Sequence, residues 1–113
     1  MATLYKICGA EEWDAAQTDG VYRGSADDRR DGFIHLSTAA QVHDTARRHF
    51  GGQSDLVLVA VDEKRLGPAL RYEPSRSGAL FPHLYGTLDP AFARWVKPLP
   101  LGPGGEHVFP EPL

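Results

Sequence analysis

An unbroken apolar run constrains the fold of this chain more than any other segment. Residues 55–62 read DLVLVAVD, with six consecutive apolar side chains between two aspartates. Because side chains along a strand alternate between its two faces, a strand with no polar position is covered on both. The run is far shorter than the roughly 20 residues that a membrane-spanning helix needs. It therefore predicts a central strand of a sheet that is packed on both faces.

Shorter patterns predict the elements around this strand. Residues 38–50, TAAQVHDTARRHF, have apolar side chains at helical spacing and are followed by two glycines. We expect a helix there, with Ser37 or Thr38 as its N-cap. Its expected inner face is Ala39, Val42, Ala46 and Phe50. Further strands are expected at 3–8, 32–37, 70–73 and 93–99, a second helix at 10–17, and a helical turn capped by Ser25.

Length and composition predict one α+β domain spanning residues 1–113, with a Gly/Pro-rich tail at 101–113. The formal net charge of −3 gives no strong signal for nucleic-acid binding. Cys8 is the single cysteine, so neither an intrachain disulfide nor a cysteine-rich zinc site can form. The first residues lack a basic segment followed by a long apolar run. We therefore expect a cytoplasmic protein with no membrane partner.

The stretch GFIHLST, residues 32–38, places an imidazole in an apolar strand and two hydroxyls at its end. Alternation puts His35 and Ser37 on one face, with Ile34 and Leu36 towards the core. An imidazole, a hydroxyl and the free amides of a helix start can hold a phosphate or a ribose hydroxyl. The alternative is a helix cap beside a half-buried histidine that bonds a backbone carbonyl.

A second stretch, LFPHLYG at residues 80–86, repeats this arrangement with His83 and Tyr85. Histidine can act as an acid, a base or a donor near neutral pH, and tyrosine can stack on an aromatic ring. Glu73 is the carboxylate nearest in sequence and could serve as a general base or stabilise a cationic centre. Alternatively, the histidine and tyrosine only pack a loop, and Glu73 pairs at the surface with Arg71 or Arg76.

Lys6 is a cation within an otherwise apolar strand. It could meet an anionic ligand, or it could extend its amine into solvent. The five histidines show no metal-ligand spacing, so no metal site is expected.

Several of these motifs together resemble the small bacterial proteins grouped as domain of unknown function 952. The resemblance runs from about residue 4 to 110, and its motifs are YKI, EEW, GFIHLST, RYEPSRSG and LFPHLYG. More distantly, the chain resembles the ADP-ribosyltransferase fold, and IHLS is similar to a strand of the RNA 2′-phosphotransferases. That resemblance implies a split, mostly antiparallel sheet with two main helices and a cleft that holds NAD. Its implied site positions are Lys6, His35, Ser37, Thr38, and Tyr85 or Glu73.

The resulting hypothesis is an enzyme that uses NAD or a related ADP-ribose compound, as a transferase or a glycohydrolase. Its expected catalytic residues are His35, His83 and Glu73, and its expected ligand-binding residues are Lys6, Ser37, Thr38 and Tyr85. Two alternatives remain open. One is a non-catalytic module that binds a nucleotide or another small molecule, and the other is a structural or interaction protein.

Overall fold

Two antiparallel sheets and three short α-helices form the part of the chain that the computed structural model describes, residues 2–75 and 78–113. In order, the elements are β1 (Thr3–Gly9), α1 (Ala10–Asp19), α2 (Ala26–Asp31), β2 (Ile34–His35), β3 (Ser37–Thr38), α3 (Val42–His49), β4 (Leu56–Asp62), β5 (Leu70–Pro74), β6 (Leu80–Leu84) and β7 (Ala93–Pro98). Short 3₁₀ turns occupy Glu63–Arg65, Gly67–Ala69 and Pro90–Phe92. The predicted α+β class is confirmed. Arg76, one predicted partner of Glu73, lies outside the described residues.

The larger sheet has the strand order β3-β1-β4-β7 and is antiparallel throughout. Strand β4 lies between β1 and β7, with Tyr5 opposite Ala60 on one side and Trp95 opposite the same residue on the other. Leu58, Val59 and their next two neighbours along β4 are fully buried. The prediction of a central strand covered on both faces is therefore confirmed.

The smaller sheet has the order β2-β6-β5 and brings the two histidine stretches together. His35 on β2 lies directly opposite His83 on β6. After one more residue the chain leaves this sheet, and Ser37 pairs with Tyr5 in the larger sheet. The GFIHLST stretch is thus shared between both sheets, and the site lies where they separate.

Each face of the larger sheet carries its own core. One cluster, which includes Leu4, Trp13, Ile34, Val59 and Leu84, joins the sheet to α1 and to the smaller sheet. The other cluster, which includes Tyr5, Val42, Leu58, Ala60 and Leu99, joins the opposite face to α3. These two layers explain why β4 has apolar residues at every position from Leu56 to Val61.

The start of α3 differs from the expectation. The helix begins at Val42 with Gln41 as its N-cap, and Ala39 is exposed. The prediction that Ser37 or Thr38 caps this helix is wrong, because both residues pair with β1 as a strand. The single-sequence pattern could not show this pairing, since the partner lies more than thirty residues away in the chain.

The helical turn expected after Ser25 is present and is longer than one turn. The Ser25 hydroxyl accepts a hydrogen bond from the Asp28 amide at 3.2 Å, and Asp28 Oδ2 accepts one from the Ser25 amide at 2.9 Å. This reciprocal capping box stabilises the six-residue helix α2.

Across the described residues, no helix is long and apolar enough to cross a membrane.

Candidate functional site

A cleft of about 490 Å³ opens where the two sheets separate, between α2 and α3. This volume lies within the range of typical small-molecule pockets, roughly 300–1,000 Å³. Four of the seven predicted site residues line it, namely Lys6, His35, Ser37 and His83. The cleft therefore joins both histidine stretches, as the sequence pattern predicts.

Glu73 and Tyr85 join the site through His83. Glu73 lies opposite Phe81 on the neighbouring strand, so its side chain shares a face with His83 two residues further along. Its Oε1 atom lies 2.8 Å from His83 Nδ1 and accepts a hydrogen bond from the Tyr85 hydroxyl at 2.7 Å. One carboxylate oxygen thus holds both an imidazole and a phenol in place.

The hydrogen bonds to Glu73 also set its charge state. The Tyr85 hydroxyl and the His83 ring together lower the pKa of the Glu73 carboxyl below its ordinary value. The same bond raises the pKa of Tyr85, because the ionised phenol would lie beside a carboxylate. At neutral pH Glu73 is therefore an anion that accepts hydrogen bonds, and Tyr85 is a neutral donor.

Phe33 is the aromatic centre of the site. Its ring stacks on His83 with a centroid distance of 3.9 Å and an interplanar angle of 23°. It also lies 4.6 Å from the His35 ring and 5.3 Å from the Tyr85 ring. With one ring face covered by Phe33 and Nδ1 fixed by Glu73, the plane of the His83 imidazole is determined. Phe33 is two residues before His35, so alternation along a strand puts both side chains on one face, but the sequence offers no reason to assign Phe33 to the site.

His35 is held by two carboxylates of α2. Asp28 Oδ1 accepts from the His35 backbone amide at 3.1 Å and lies 2.6 Å from Nδ1. Asp31 Oδ2 lies 3.0 Å from the other ring nitrogen, Nε2. Both ring nitrogens are thus bonded to carboxylates of the protein. His35 is therefore better suited to holding α2 against the cleft than to accepting a proton from a ligand.

Lys6 does not extend into solvent. It is 4% exposed, and its ammonium lies 2.8 Å from Oδ2 of Asp28, which is 2% exposed. Burial alone would raise the pKa of Asp28, but the hydrogen bond with His35 and the charge of Lys6 outweigh it and lower the pKa. Asp28 is therefore a buried anion that joins Lys6, His35 and the cap of α2.

Asp28, like Phe33, is a site residue that the sequence reasoning missed. Two signals point to it in retrospect. Ser25 and Asp28 have the spacing of a capping box, and a lysine inside an apolar strand requires a buried counter-ion. Neither signal alone shows that the capping carboxylate and the counter-ion are the same group.

The two hydroxyls of GFIHLST have different positions. Ser37 lies in the cleft wall, and its Oγ is 3.0 Å from Thr45 Oγ1, which donates to the Gln41 carbonyl at 3.2 Å. Since the Thr45 proton is used in that bond, Ser37 donates to Thr45 and keeps lone pairs free. Thr38 is not part of the described cleft wall, and its amide donates to the Gln41 side chain.

Metal ligands do not converge at this site. Within residues 2–75 and 78–113, no group of three His, Cys, Asp or Glu side chains is arranged to hold a metal ion. The polar groups of the cleft are instead bonded to one another, as hydrogen-bonded pairs and ion pairs.

The fold and site define a small α+β domain with a ligand-sized cleft between two antiparallel sheets. The chain belongs to the family described as "Protein of unknown function (DUF952)", whose model matches residues 7–96. It is similar to the protein CC0527 from Caulobacter crescentus. The X-ray structure of that protein is 45% identical, covers 94% of this chain and 93% of its own, and has a TM-score of 0.90.

Two further structures of the same Caulobacter protein agree with this likeness. A double mutant, also solved by X-ray crystallography, is 44% identical over 94% of this chain and 93% of its own, with a TM-score of 0.90. The solution NMR structure is 46% identical over 92% of this chain and 90% of its own, with a TM-score of 0.83. No curated protein matches the chain.

Proposed function

We propose that this protein is an enzyme that binds NAD or a related ADP-ribose compound in the cleft and transfers or hydrolyses its ribosyl group. The observation that carries the proposal is the His83–Glu73–Tyr85 arrangement, in which an ionised carboxylate fixes a histidine that lines the cleft. The resemblance of IHLS to a strand of the ADP-ribosyltransferase fold supports the choice of ligand. A cleft between separated sheets is consistent with that resemblance.

His83 is the proposed general base. Its Nδ1–H donates to Glu73, and among the described residues Nε2 has no hydrogen-bond partner. Nε2 therefore has a lone pair that can accept the proton of an attacking hydroxyl or water. The stacked Phe33 ring keeps this nitrogen in one orientation.

Glu73 is proposed to act through His83, because it is bonded to Nδ1 of that residue and is not part of the described cleft wall. The C–N glycosidic bond breaks, and its electron pair leaves with the nicotinamide nitrogen. The acceptor oxygen then bonds to the anomeric carbon while its proton passes to His83. An anion bonded to His83 lowers this barrier because it stabilises the positive charge that the imidazole gains as it takes the proton. The lowered pKa of Glu73 keeps it ionised for this role.

The remaining predicted residues are proposed to shape the ligand site. Tyr85 is 39% exposed and offers an aromatic surface to the nicotinamide ring. Ser37 supplies lone pairs to a ribose hydroxyl. His35 and Lys6 hold the cleft wall through Asp28. Thr38 has no proposed ligand contact, because its amide is bonded to the Gln41 side chain, whereas Glu73 and Tyr85 are linked to the cleft wall through His83.

A non-catalytic binding module is the second candidate. The observation that favours it is that His35 and Lys6, two groups expected to act on a ligand, are already bonded to carboxylates of the protein. Such a module would keep the cleft and bind the same ligands without turnover.

Nicotinamide release from NAD, measured together with binding by calorimetry, tests the proposal. We expect turnover in the wild type and a loss of at least about 100-fold in His83→Ala and Glu73→Gln. His107→Ala is the control, because His107 bonds the Gln53 carbonyl rather than any cleft residue. Binding without turnover in the wild type would favour the binding module. No binding of NAD, ADP-ribose or nicotinamide at millimolar concentration would reject the nucleotide ligand.

A further inference from the structure

We infer that the cleft takes the uncharged or cationic, hydroxyl-bearing part of its ligand and keeps phosphate groups outside. This inference rests on the proposed function for the nucleotide class of the ligand, and it decides which part of the nucleotide enters. It follows from the way in which the charged groups of the cleft wall are already paired.

Every permanent cation of the described cleft wall is bonded to a carboxylate of the same wall. Lys6 pairs with Asp28 at 2.8 Å, Arg30 with Asp27 at 3.2 Å and Asp31 at 3.1 Å, and Arg48 with Asp44 at 2.7 Å. Four carboxylates and three permanent cations line this wall, so the carboxylates outnumber the permanent cations by one. A phosphate that enters would meet cations that already have carboxylate partners.

Lys6 is the most buried of these three cations, so a phosphate bound deep in the cleft would need it as a contact. To reach it, the phosphate must compete with Asp28, which is buried and also bonded to His35. Displacing Asp28 would leave a buried carboxylate without its cation, which is costly. Lys6 therefore neutralises Asp28 and does not serve as a phosphate contact.

The uncharged polar groups of the site offer acceptors rather than donors. Ser37 donates its proton to Thr45 and keeps lone pairs, and Tyr85 donates its proton to Glu73. Nε2 of His83 is an acceptor when Nδ1–H donates to Glu73. Sugar hydroxyls donate to such acceptors, whereas ionised phosphate oxygens only accept. A pyridinium cation also suits a wall in which carboxylates outnumber the permanent cations.

Nicotinamide riboside and nicotinamide mononucleotide provide the matched test, because they differ only in the 5′-phosphate. We expect the wild type to bind the riboside at least about tenfold more tightly by calorimetry, a difference of about 1.4 kcal/mol. Inorganic phosphate at millimolar concentration should leave the melting temperature unchanged, because it has no site in the cleft. Tighter binding of the mononucleotide, or phosphate binding that competes with the riboside, would overturn the inference.

Two variants that each remove one negative charge test whether the weaker binding of the mononucleotide depends on the pairing of Lys6. Asp28→Asn and Asp27→Asn each remove one negative charge, but only Asp28→Asn takes the carboxylate away from Lys6. We expect the mononucleotide to gain at least about fivefold in affinity relative to the riboside in Asp28→Asn and to gain little in Asp27→Asn. Equal gains in both would contradict the role given to Lys6. If Asp28→Asn does not fold, the comparison of the two ligands on the wild type decides alone.

1-Methylnicotinamide, a pyridinium cation without sugar or phosphate, separates this inference from the proposed function. If no nucleoside or nucleotide binds but this cation does and phosphate does not, the nucleotide proposal fails and the charge selectivity stands. If NAD is turned over but the mononucleotide outbinds the riboside, only the charge selectivity fails. If the riboside and the cation both fail to bind at millimolar concentration, both are rejected.

Discussion

Removal of the Asp28 carboxylate is the perturbation whose cost the structure defines best. Lys6 is 4% exposed in the wild type, and in Asp28→Ala its ammonium loses the carboxylate that lies 2.8 Å away. Breaking a buried ion pair by removing one partner costs about 3–5 kcal/mol, because an uncompensated charge remains. The variant also loses the bond from the Ser25 amide to Asp28. Since a domain of this size has a total stability of about 5–15 kcal/mol, a large part would be lost.

Urea denaturation of a double-mutant cycle measures this cost. Asp28→Ala should lower the free energy of unfolding by about 3–5 kcal/mol, and Lys6→Met should cost less, because Asp28 keeps its bonds to His35 and Ser25. The double variant should recover part of the loss, since no buried ammonium then remains unpaired. A loss below about 1 kcal/mol in Asp28→Ala, or a double variant no more stable than that single one, would refute the reasoning.

The pH dependence of stability gives a second readout of the same pair. The pKa of Asp28 is lowered in the folded state, so the unfolded chain binds a proton there first as the pH falls. The contribution of Asp28 is therefore complete above its ordinary pKa of about 4 and is lost as the pH falls below that value. In Lys6→Met the acid-induced loss of stability should be shallower, because one cause of the lowered pKa is gone.

Two further predictions concern residues next to this network. Gly24 has φ of +100°, and an added Cβ would lie 2.7 Å from the Asp28 Cβ, so Gly24→Ala should cost about 1–3 kcal/mol by urea denaturation. Gly104→Ala is its control because nothing lies within 4 Å of the added Cβ; equal losses in both would contradict the role of Gly24. Cys8 is 2% exposed, and burial raises its pKa to about 12. It should react with a disulfide-exchange reagent only after unfolding, and rapid labelling of the native protein would contradict this placement.

Strands β1, β4, β5 and β7 could be predicted from local signals, and so could a cleft shared by the two histidine stretches, but the pairing of β2 with β6 could not. The apolar run at 56–61 defines β4, and alternation in GFIHLST puts Ile34 and Leu36 in the core and His35 at the cleft. Two short apolar stretches that each carry a histidine indicate a shared cleft, and the structure places those histidines opposite each other.

The two errors of the sequence analysis, at Ser37 and Thr38 and at Asp28, concern residue types that occur in more than one kind of local structure. Ser37 and Thr38 are residue types that often cap helices, but here they form a strand because they pair with Tyr5 and Leu4 of β1. Asp28 is an acidic residue in the first turn of a helix, where such residues are commonly exposed. Only the three-dimensional contact between α2 and β1 shows that it is buried and neutralises Lys6. Contacts between segments distant in the sequence decided both cases, and no local pattern encodes them.

The site therefore has two parts, and substitutions in them are expected to affect the stability of the fold to different degrees. Asp28 joins the cap of α2, the backbone of His35 and the charge of Lys6, so its removal disturbs folding and the cleft together. Glu73 and Tyr85 lie at the surface of the smaller sheet, and their bonds are made to each other and to His83. Substitutions in this exposed half can change chemistry while leaving both cores intact, since it belongs to neither buried cluster. A loss of turnover in Glu73→Gln would therefore report on the reaction, whereas the same loss in Asp28→Ala would report on the fold as well.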